Sequence, residues 1–478
     1  MEAGRFHNDV MNSRRSLARK IAHEPKNVAT EFVSTQSRMF YFRIFPIAFN
    51  SKREAGSMKE AKSTKVMEVI FSNCCGLDVH KKSVYACVRK YVGRGRVQQE
   101  TREFTTMTRD LLALSQWLTN EGVTHVAMES TGVFWKPVYN ILEDSFTLFL
   151  VNAKHVKNVP GRKTDVKDCR WLAQLMQCGL LRPSLVPDRT RRELRDLTRH
   201  RTKLVEERAT IVNRIHKTLE DTNIKLASVA TDIMGKSGKD MIRALISGKT
   251  NAQEIAELAR RGLRRKIPEL CLALEGHLTD HHKFVLTQLM DHLDYLEAQI
   301  GTFSERIEEM MRPFEQDIDC LCSMPGFDRR NAENVLAETG FDMSRFASDH
   351  HLSKWAGVAP GNNESAGKRK SSKTTPGSNW LRVALVQAAW AASRKKSSYF
   401  HAQFGRITAR RGKKRAIMAV AHSLLVTIYH MLKNKTKFKD LGHDYFDRLN
   451  SKKLIKYHTK RLESLGFEIT LKPKECAA

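Results

Sequence analysis

The sequence predicts an α/β domain, followed by a long helical arm and a mainly α-helical C-terminal domain. Three observations lead to this fold class. Runs typical of strands alternate with runs typical of helices over about residues 68–185, as in layered α/β folds. Long charged segments with spaced Leu, Val and Ile follow over 188–316. Two segments with wide apolar helical faces lie within 318–435.

The strands and helices of the α/β domain can be assigned in order. The first strand carries Gly76 and Asp78, a second covers 83–91, and the last helix is stopped by Gly179. The elements between them are a strand, a helix, a strand, a helix and a strand, in the segments "RVQQETREFTT", "RDLLALSQWLTNEG", "THVAMES", "VFWKPVYNILED" and "FTLFLVNA".

The charged segment 188–316 is predicted to form two antiparallel helices, packed as a helical hairpin or coiled coil. A smaller helical region, 225–275, would lie at its far end. A plain helical bundle is the alternative.

The C-terminal domain is predicted to begin with two short helices joined by Pro-Gly, and to hold two strong helices further on. Between the short helices and the strong helices lies 360–377, "PGNNESAGKRKSSKTTPG". This segment has no large apolar residue and cannot belong to a core. It is either an idle polar loop or a loop that holds a phosphate against a serine hydroxyl.

These segments give five predicted regions. They are an N-terminal extension of low order, the α/β domain, the helical arm, the C-terminal domain and a basic tail, at 1–66, 67–186, 187–317, 318–436 and 437–478. Met58 and Met67 both precede the first strand, so Met58 is a candidate start and a short appended basic arm is the alternative.

Charge is the strongest signal in the composition. The 478 residues include 82 Lys and Arg against 52 Asp and Glu, a formal net charge of +30. Such a surface attracts polyanions, so nucleic acid is the favoured partner and an anionic membrane the second. A merely soluble or ribosomal-type basic protein is the remaining alternative.

Other bulk features point to a reduced, cytosolic protein. The nine cysteines include no C-x-x-C spacing, which argues against a zinc finger or a disulfide framework. No run of 18 apolar residues exists, so no membrane span is expected, and a secretory signal is not expected either.

Four acidic residues have a spacing that suggests a metal site. Asp78 and Glu129 end predicted strands, and Asp165 and Asp168 stand three apart at the start of a helix, on one face. Close carboxylates repel one another without a cation, and hard oxygen ligands suit Mg²⁺ or Mn²⁺. Caps, turns and the helix dipole explain each acid separately.

The order of these acids, in "GLDVHK", "MESTG" and "TDVKD", resembles the RuvC-like DEDD domain of a family of insertion-sequence transposases. That family includes the Piv-type invertases and the RNA-guided "bridge" recombinases. A second set of motifs resembles the family's C-terminal transposase domain, in "MPGFDRRNAENVLAETG", "LSKWAGVAPGNNESAGKRKS" and "GSNWLRVALVQAAWAA". The resemblance covers roughly 70–435 and implies a RuvC/RNase H-like fold for the α/β domain.

The resemblance also implies a mechanism. The four acids would form the catalytic site and hold Mg²⁺, with Mn²⁺ possible, while Ser365 would attack a DNA phosphodiester and form a covalent link. Family members recognise donor and target DNA through a structured non-coding guide RNA and act as dimers or tetramers. A prokaryotic, cytoplasmic and nucleoid-associated protein would follow.

The residues around Ser365 suit a phosphate. Ala366 and Gly367 leave the backbone uncrowded, and the basic residues that follow would stabilise extra charge on phosphorus. Ser371 and Ser372 are the alternative serines. The candidate nucleic-acid-binding residues, each of which could equally be a solvated basic residue, are Lys163, Lys167, Lys368, Arg369, Lys370, Lys373, Arg410, Arg411, Lys413 and Lys414.

Two other functions remain open. A Holliday-junction nuclease would use metal-activated water and have no need of Ser365. A non-enzymatic nucleic-acid-binding protein would need neither the metal site nor Ser365. The turn at Asp328 resembles a helix-hairpin-helix turn, which offers backbone N–H groups to phosphate. Residues expected to have structural rather than functional roles are Trp135, Trp355, Trp380, His80 and His155.

Overall fold

The structure is a computed structural model that describes residues 69–471, except positions 94, 131, 153–155, 157–167, 362 and 372. The predicted N-terminal extension lies outside the described residues. So do Lys163, Asp165 and Lys167, together with His155 and Ser372.

A five-stranded mixed sheet forms the centre of the α/β domain. Its strands are β1 (Asn73–Val79), β2 (Ser83–Gly93), β3 (Arg96–Thr105), β4 (His125–Glu129) and β5 (Thr147–Val151). They lie in the order β3-β2-β1-β4-β5, with β1, β2 and β3 antiparallel and β4 and β5 parallel to β1. The α/β prediction is confirmed, and this sheet is consistent with a RuvC/RNase H-like fold.

Three helices cover the two faces of the sheet. They are α1 (Thr108–Asn120), α2 (Trp135–Leu142) and α3 (Asp168–Gln177). Side chains alternate along β1, so Leu77 packs in one core with Leu114 of α1, while Cys74 packs on the other face with Leu172 of α3. Helix α3 therefore lies on the face that Asp78 shares with Cys74.

The arm consists of two long helices and a helical region at their far end. Its helices are α4 (Arg189–Asp221), α5 (Leu226–Val229), α6 (Lys236–Ile246), α7 (Ala252–Ala256), α8 (Ile267–Leu274) and α9 (Asp280–Met311). Ion pairs join Arg208 to Glu297 at 2.8 Å and Asp221 to His282 at 3.7 Å, so α4 and α9 run antiparallel. A coiled-coil seam between them stays a prediction.

The C-terminal domain is mainly helical. It contains α10 (Glu315–Cys322), α11 (Arg329–Thr339), α12 (Asp349–Trp355), β6 (Asn363–Ser365), β7 (Lys368–Ser371), α13 (Asn379–Arg394), α14 (Tyr399–Arg411) and α15 (Lys413–Asn434). Two further helices, α16 (Tyr445–Leu449) and α17 (Ser451–Glu463), lie in the segment predicted as a weakly patterned tail.

Helix α15 forms the centre of this domain. It is the one helix among the described residues that is long and apolar enough to cross a membrane. Its residues Val420, Leu424 and Ile428 are fully buried in the C-terminal core. A core helix of a folded domain has the same length and composition, so this helix is weak support for a membrane span.

Helix α4 joins the three parts of the described chain. Near its start, Arg192 donates to the Glu143 carboxylate of the α/β domain at 2.7 Å. Further along, Arg201 donates to Glu333 of α11 at 2.7 Å, and Leu194 lies in the C-terminal core. The arginines that look like solvated charges in the sequence are therefore partly structural.

Replacing Glu333 by alanine should destabilise the protein by about 3–5 kcal/mol, because it leaves the buried Arg201 guanidinium without its carboxylate. Both side chains of this pair are only 3 % exposed. Denaturant unfolding of the purified variant measures the change. Glu309→Ala is the matched control, since its pair with Arg306 is 59 % exposed on both sides and should contribute little. Equal stability of the two variants would contradict the expectation.

Candidate active site

Two of the predicted acids lie side by side at one edge of the sheet. Strands β1 and β4 are parallel, and Leu77 is aligned with Met128 in their register. Asp78 and Glu129 each follow one residue later, so both carboxylates lie at the carboxyl ends of neighbouring strands. Both residues are partly exposed, as a site open to substrate requires.

A glycine brings the third acid to the same face. A Cβ atom at Gly76 would lie under 3.0 Å from the Cys169 carbonyl oxygen, the Ala173 amide nitrogen and the Leu172 Cβ atom. Helix α3 therefore packs directly against the backbone of β1. Asp168 is the first residue of this helix, and Gly76 and Asp78 share a face because they are two residues apart.

The thiol of Cys169, the residue after Asp168, also indicates that α3 lies close to Asp78. Burial, and to a lesser extent the Cys87 thiol and the Asp78 carboxylate, raise the pKa of Cys169 to about 11. Cys169 thus remains a protonated packing residue at neutral pH. None of the eight cysteines among the described residues forms a disulfide.

We expect Gly76→Ala to destabilise the protein by about 1–3 kcal/mol, because the new methyl group would push α3 away from the sheet. Displacement of α3 also moves Asp168, so the acids at the sheet edge would be misaligned as well. Gly301→Ala is the control, since a Cβ there meets nothing within 4 Å inside helix α9. That change should leave stability equal or slightly higher. Thermal unfolding of both variants measures the difference, and an unchanged Gly76→Ala midpoint would show that α3 has room to move.

The acids do not form a complete metal site among the described residues. No group of three or more Asp, Glu, His or Cys side chains there could hold a metal ion. Asp165, the fourth predicted ligand, lies outside the described residues. His80, predicted to be structural, contacts the Asp78 carboxylate at 3.1 Å.

Ser365 lies in a β-hairpin, whereas the sequence suggested an irregular polar loop. It is the last residue of β6 and is aligned with Lys368 of β7. Ala366 and Gly367 form the turn, with φ angles of +51° and +71°. Positive φ at both central residues is typical of a type I′ turn, which matches the twist of the flanking strands. Such strands have no apolar alternation, so the sequence pattern could not reveal them.

The base of this hairpin is tightly packed. A Cβ at Gly377 would lie under 3.0 Å from the backbone of Gly357, so the two ends of the segment touch. Arg382 of α13 donates to the Gly357 carbonyl, to Thr374 Oγ1 at 3.0 Å and to the Thr375 carbonyl at 3.0 Å. Arg382 thus positions the hairpin, a role that its place in "GSNWLR" did not indicate.

The candidate basic residues that can be located are exposed. Lys368 and Lys373 belong to the hairpin and its return segment. Arg410 and Arg411 end helix α14, while Lys413 and Lys414 begin α15, where Gly412 turns the chain with a φ of +79°. Their exposure suits either phosphate contact or solvation, so their roles stay predictions.

Asp328 has a local structural role. Its Oδ1 atom accepts a hydrogen bond from the Asn331 amide at 2.8 Å and caps the start of α11. This explains an aspartate where a helix-hairpin-helix turn often has a second glycine. The preceding Gly326 has a φ of +88° and packs against the Ala388 carbonyl of α13.

Comparison with known families identifies two transposase regions in the expected order. Residues 75–224 match the DEDD-type transposase model of the IS110 group, and residues 318–404 match the transposase model of the IS116/IS110/IS902 family. The first match contains the sheet and its acids, and the second contains the serine hairpin. Both regions are thus similar to insertion-sequence transposases.

Curated relatives agree with this class. The chain is 28 % identical to the insertion element IS900 uncharacterized 42 kDa protein of Mycobacterium paratuberculosis, over 41 % of this chain and 53 % of that protein. It is 25 % identical to the pilin gene-inverting proteins of Moraxella bovis and Moraxella lacunata, over 42 % of this chain and 70 % of each. It thus spans about half the length of the first relative. In both matched regions the chain is thus similar to IS110-type transposases.

Proposed function

We propose that this protein is a DNA transposase or site-specific recombinase that cuts and rejoins strands through a covalent serine–DNA intermediate. The observation that carries the proposal is the presence of an acidic sheet edge and a serine hairpin in the two regions that match transposase models. The similarity to pilin gene-inverting proteins supports rearrangement of DNA as the outcome.

In the proposed reaction, the Ser365 hydroxyl oxygen forms a bond to a DNA phosphorus, and the bond from that phosphorus to a deoxyribose oxygen breaks. The serine proton passes to a base, and the departing oxygen leaves as a hydroxyl group. A second DNA hydroxyl then reverses these steps and releases the serine. The number of phosphodiester bonds is conserved, so rejoining needs no nucleotide cofactor.

The shape of the hairpin supports this role for Ser365. Ser365 directly precedes the type I′ turn of the hairpin. Arg382 and two packed glycines hold the base of this hairpin in place. A nucleophile gains from such fixed positioning, since catalysis depends on alignment with the phosphorus. Exposed Lys368, directly across the hairpin, can stabilise charge on the attacked phosphate.

We further propose that Asp78, Glu129, Asp165 and Asp168 bind Mg²⁺, or Mn²⁺ in its place. The chemistry of the donors supports this, since carboxylate oxygens are the preferred ligands of these ions. When bound, such an ion supplies positive charge that stabilises phosphoryl transfer. Asp78 and Glu129 would hold their oxygens at the sheet edge, and α3 would carry the aspartate pair.

The proposed partners follow from charge and family. Donor and target DNA are the substrates, a structured non-coding RNA is the guide, and the active form is a dimer or tetramer in the prokaryotic cytoplasm, associated with the nucleoid. The net charge of +30 supports binding of polyanions. Sequencing of copurified nucleic acid tests the guide: a discrete RNA encoded beside the gene is expected, and random RNA would contradict it.

The test of the central proposal is the nature of the cleaved ends. Incubation with DNA and a divalent ion, followed by denaturing electrophoresis, should give a protein–DNA species that protease removes. A nuclease using metal-activated water would instead leave free phosphate ends and no such species. A binding protein would give neither product.

A further inference from the structure

Trp380 lines an open pocket at the foot of the serine hairpin. The sequence suggested that this tryptophan packs in a core or an interface, but its side chain is only half-buried. The pocket has a volume of about 300 Å³ and lies between α4, α11 and α13. This is at the lower end of the usual range for small-molecule sites, roughly 300–1,000 Å³.

Two cations border the indole ring. The Arg199 guanidinium carbon lies 5.6 Å from the Trp380 ring centroid, and the Lys203 Nζ atom lies 5.4 Å from it. Both distances are within the range of cation–π contacts. A planar aromatic ligand entering here would thus meet an indole and a guanidinium, the two side-chain groups on which bases stack.

The pocket is electrically neutral despite these cations. Arg199 donates to both carboxylate oxygens of Glu338, at 2.7 and 3.0 Å. Lys203 is paired with Glu206 at 2.6 Å. Because both of these cations are paired with carboxylates, the pocket favours a neutral aromatic group over a phosphate.

Three side-chain amides surround the opening. Asn379 and Gln387 are exposed on α13, and Asn334 lies opposite on α11. The Asn334 Oδ1 atom accepts from Arg201 at 3.2 Å, which leaves the amide N–H groups of Asn334 as donors. Amides offer a donor and an acceptor together, the pattern that reads the edge of a base.

The pocket continues as a groove toward the α10–α11 turn. A second cavity, of about 520 Å³, shares Thr202, Glu206, Asn334 and Gln387 with the first and extends to Gly326. The other end of the groove is the Trp380 pocket. Trp380 lies three residues after Gly377, which packs at the base of the hairpin. A strand lying along this groove would pass close to the base of the hairpin that carries Ser365.

We infer that the Trp380 pocket binds one unstacked nucleobase of a single-stranded segment of nucleic acid, holding that strand beside the serine hairpin. This inference deepens the proposed function and rests on it. The base stacks on the Trp380 indole, and the amides contact its edge. Unpaired bases in DNA and in RNA share this chemistry, so both are used as probes.

The experiment measures binding of the full-length protein to a single-stranded oligonucleotide of about 12 nucleotides, made as DNA and as RNA. Trp380→Ala should weaken this binding about tenfold, the effect of losing one stacked base, whereas Trp380→Phe should largely retain it. Binding to random duplex DNA should not change, because it depends on overall charge. Whether the DNA or the RNA oligonucleotide loses affinity shows which nucleic acid supplies the base.

Trp390→Ala is the matched control, since Trp390 is the other tryptophan of α13 and lies outside the pocket, with 38 % of its side chain exposed. Equal affinities of wild type and Trp380→Ala for both single strands would overturn the inference. If the wild-type protein bound neither single strands nor duplex, the proposed function itself would fail.

A second measurement uses the wild-type protein and does not depend on how the variants fold. Oligonucleotides carrying 5-iodouracil are irradiated in the complex, and the cross-linked peptide is found by mass spectrometry. A cross-link at Trp380 is expected. Cross-links found only elsewhere would contradict the inference.

Discussion

Ser365→Ala should reduce the covalent protein–DNA species to an undetectable level while DNA binding stays at the wild-type level. The substitution removes the one oxygen that the proposed reaction joins to phosphorus, and the alanine methyl group cannot act as a nucleophile. It changes only the side chain beyond Cβ, so the backbone pairing of the hairpin should be kept. Denaturing electrophoresis with end-labelled DNA measures the adduct, and a mobility shift measures binding.

Ser371→Ala is the control for this prediction. Ser371 belongs to β7 of the same hairpin, and its Oγ atom accepts a hydrogen bond from the Lys373 amide at 3.2 Å. Its loss should leave adduct formation close to normal. Adducts that persist in Ser365→Ala, or that vanish in Ser371→Ala alone, would place the nucleophile elsewhere.

Asp78→Asn should lower the rate of DNA strand cleavage by at least about 100-fold, the usual effect of losing one group that stabilises a charged transition state. The amide keeps the size of the carboxylate but removes its charge, so divalent-ion dependence should weaken as well. DNA binding should persist, because the variant is more positive by one charge. Single-turnover cleavage over a range of Mg²⁺ concentrations measures both effects.

Asp110→Asn serves as the matched change within the same domain. Asp110 accepts a hydrogen bond from the Thr105 hydroxyl at the start of α1, a local contact with no part in the proposed reaction. Its cleavage rate should remain near the wild-type value. A wild-type rate of cleavage in the Asp78→Asn variant would show that the acids at the sheet edge have no part in the reaction.

The sequence was a good guide to the sheet and its acidic edge. Asp78 and Glu129 follow apolar runs that form neighbouring parallel strands, and local pattern is enough to predict a strand that ends at an acid. The close approach of α3 to Gly76 was not predictable in this way. It depends on contacts between residues about 90 positions apart, which a local pattern does not contain.

The serine hairpin was harder to predict because its stability comes from outside the segment. Its strands are polar, its turn contains an alanine with positive φ, and its base is held by Arg382, which belongs to the next helix. The Trp380 pocket was not predicted for a similar reason. Trp380 looks like a core residue in the sequence, but packing of α4 and α11 around it forms a pocket and leaves its side chain only half-buried.

Helix α4 belongs to two folding units, the arm and the C-terminal domain. Leu194 and Arg201 are buried against the C-terminal core, although more than 100 residues of the arm separate them from it in sequence. The C-terminal domain is therefore discontinuous, and the first turns of α4 are one of its pieces. A fragment beginning at residue 318 would lack this piece and expose apolar surface. Folding of this domain therefore includes closing a chain loop of more than 100 residues.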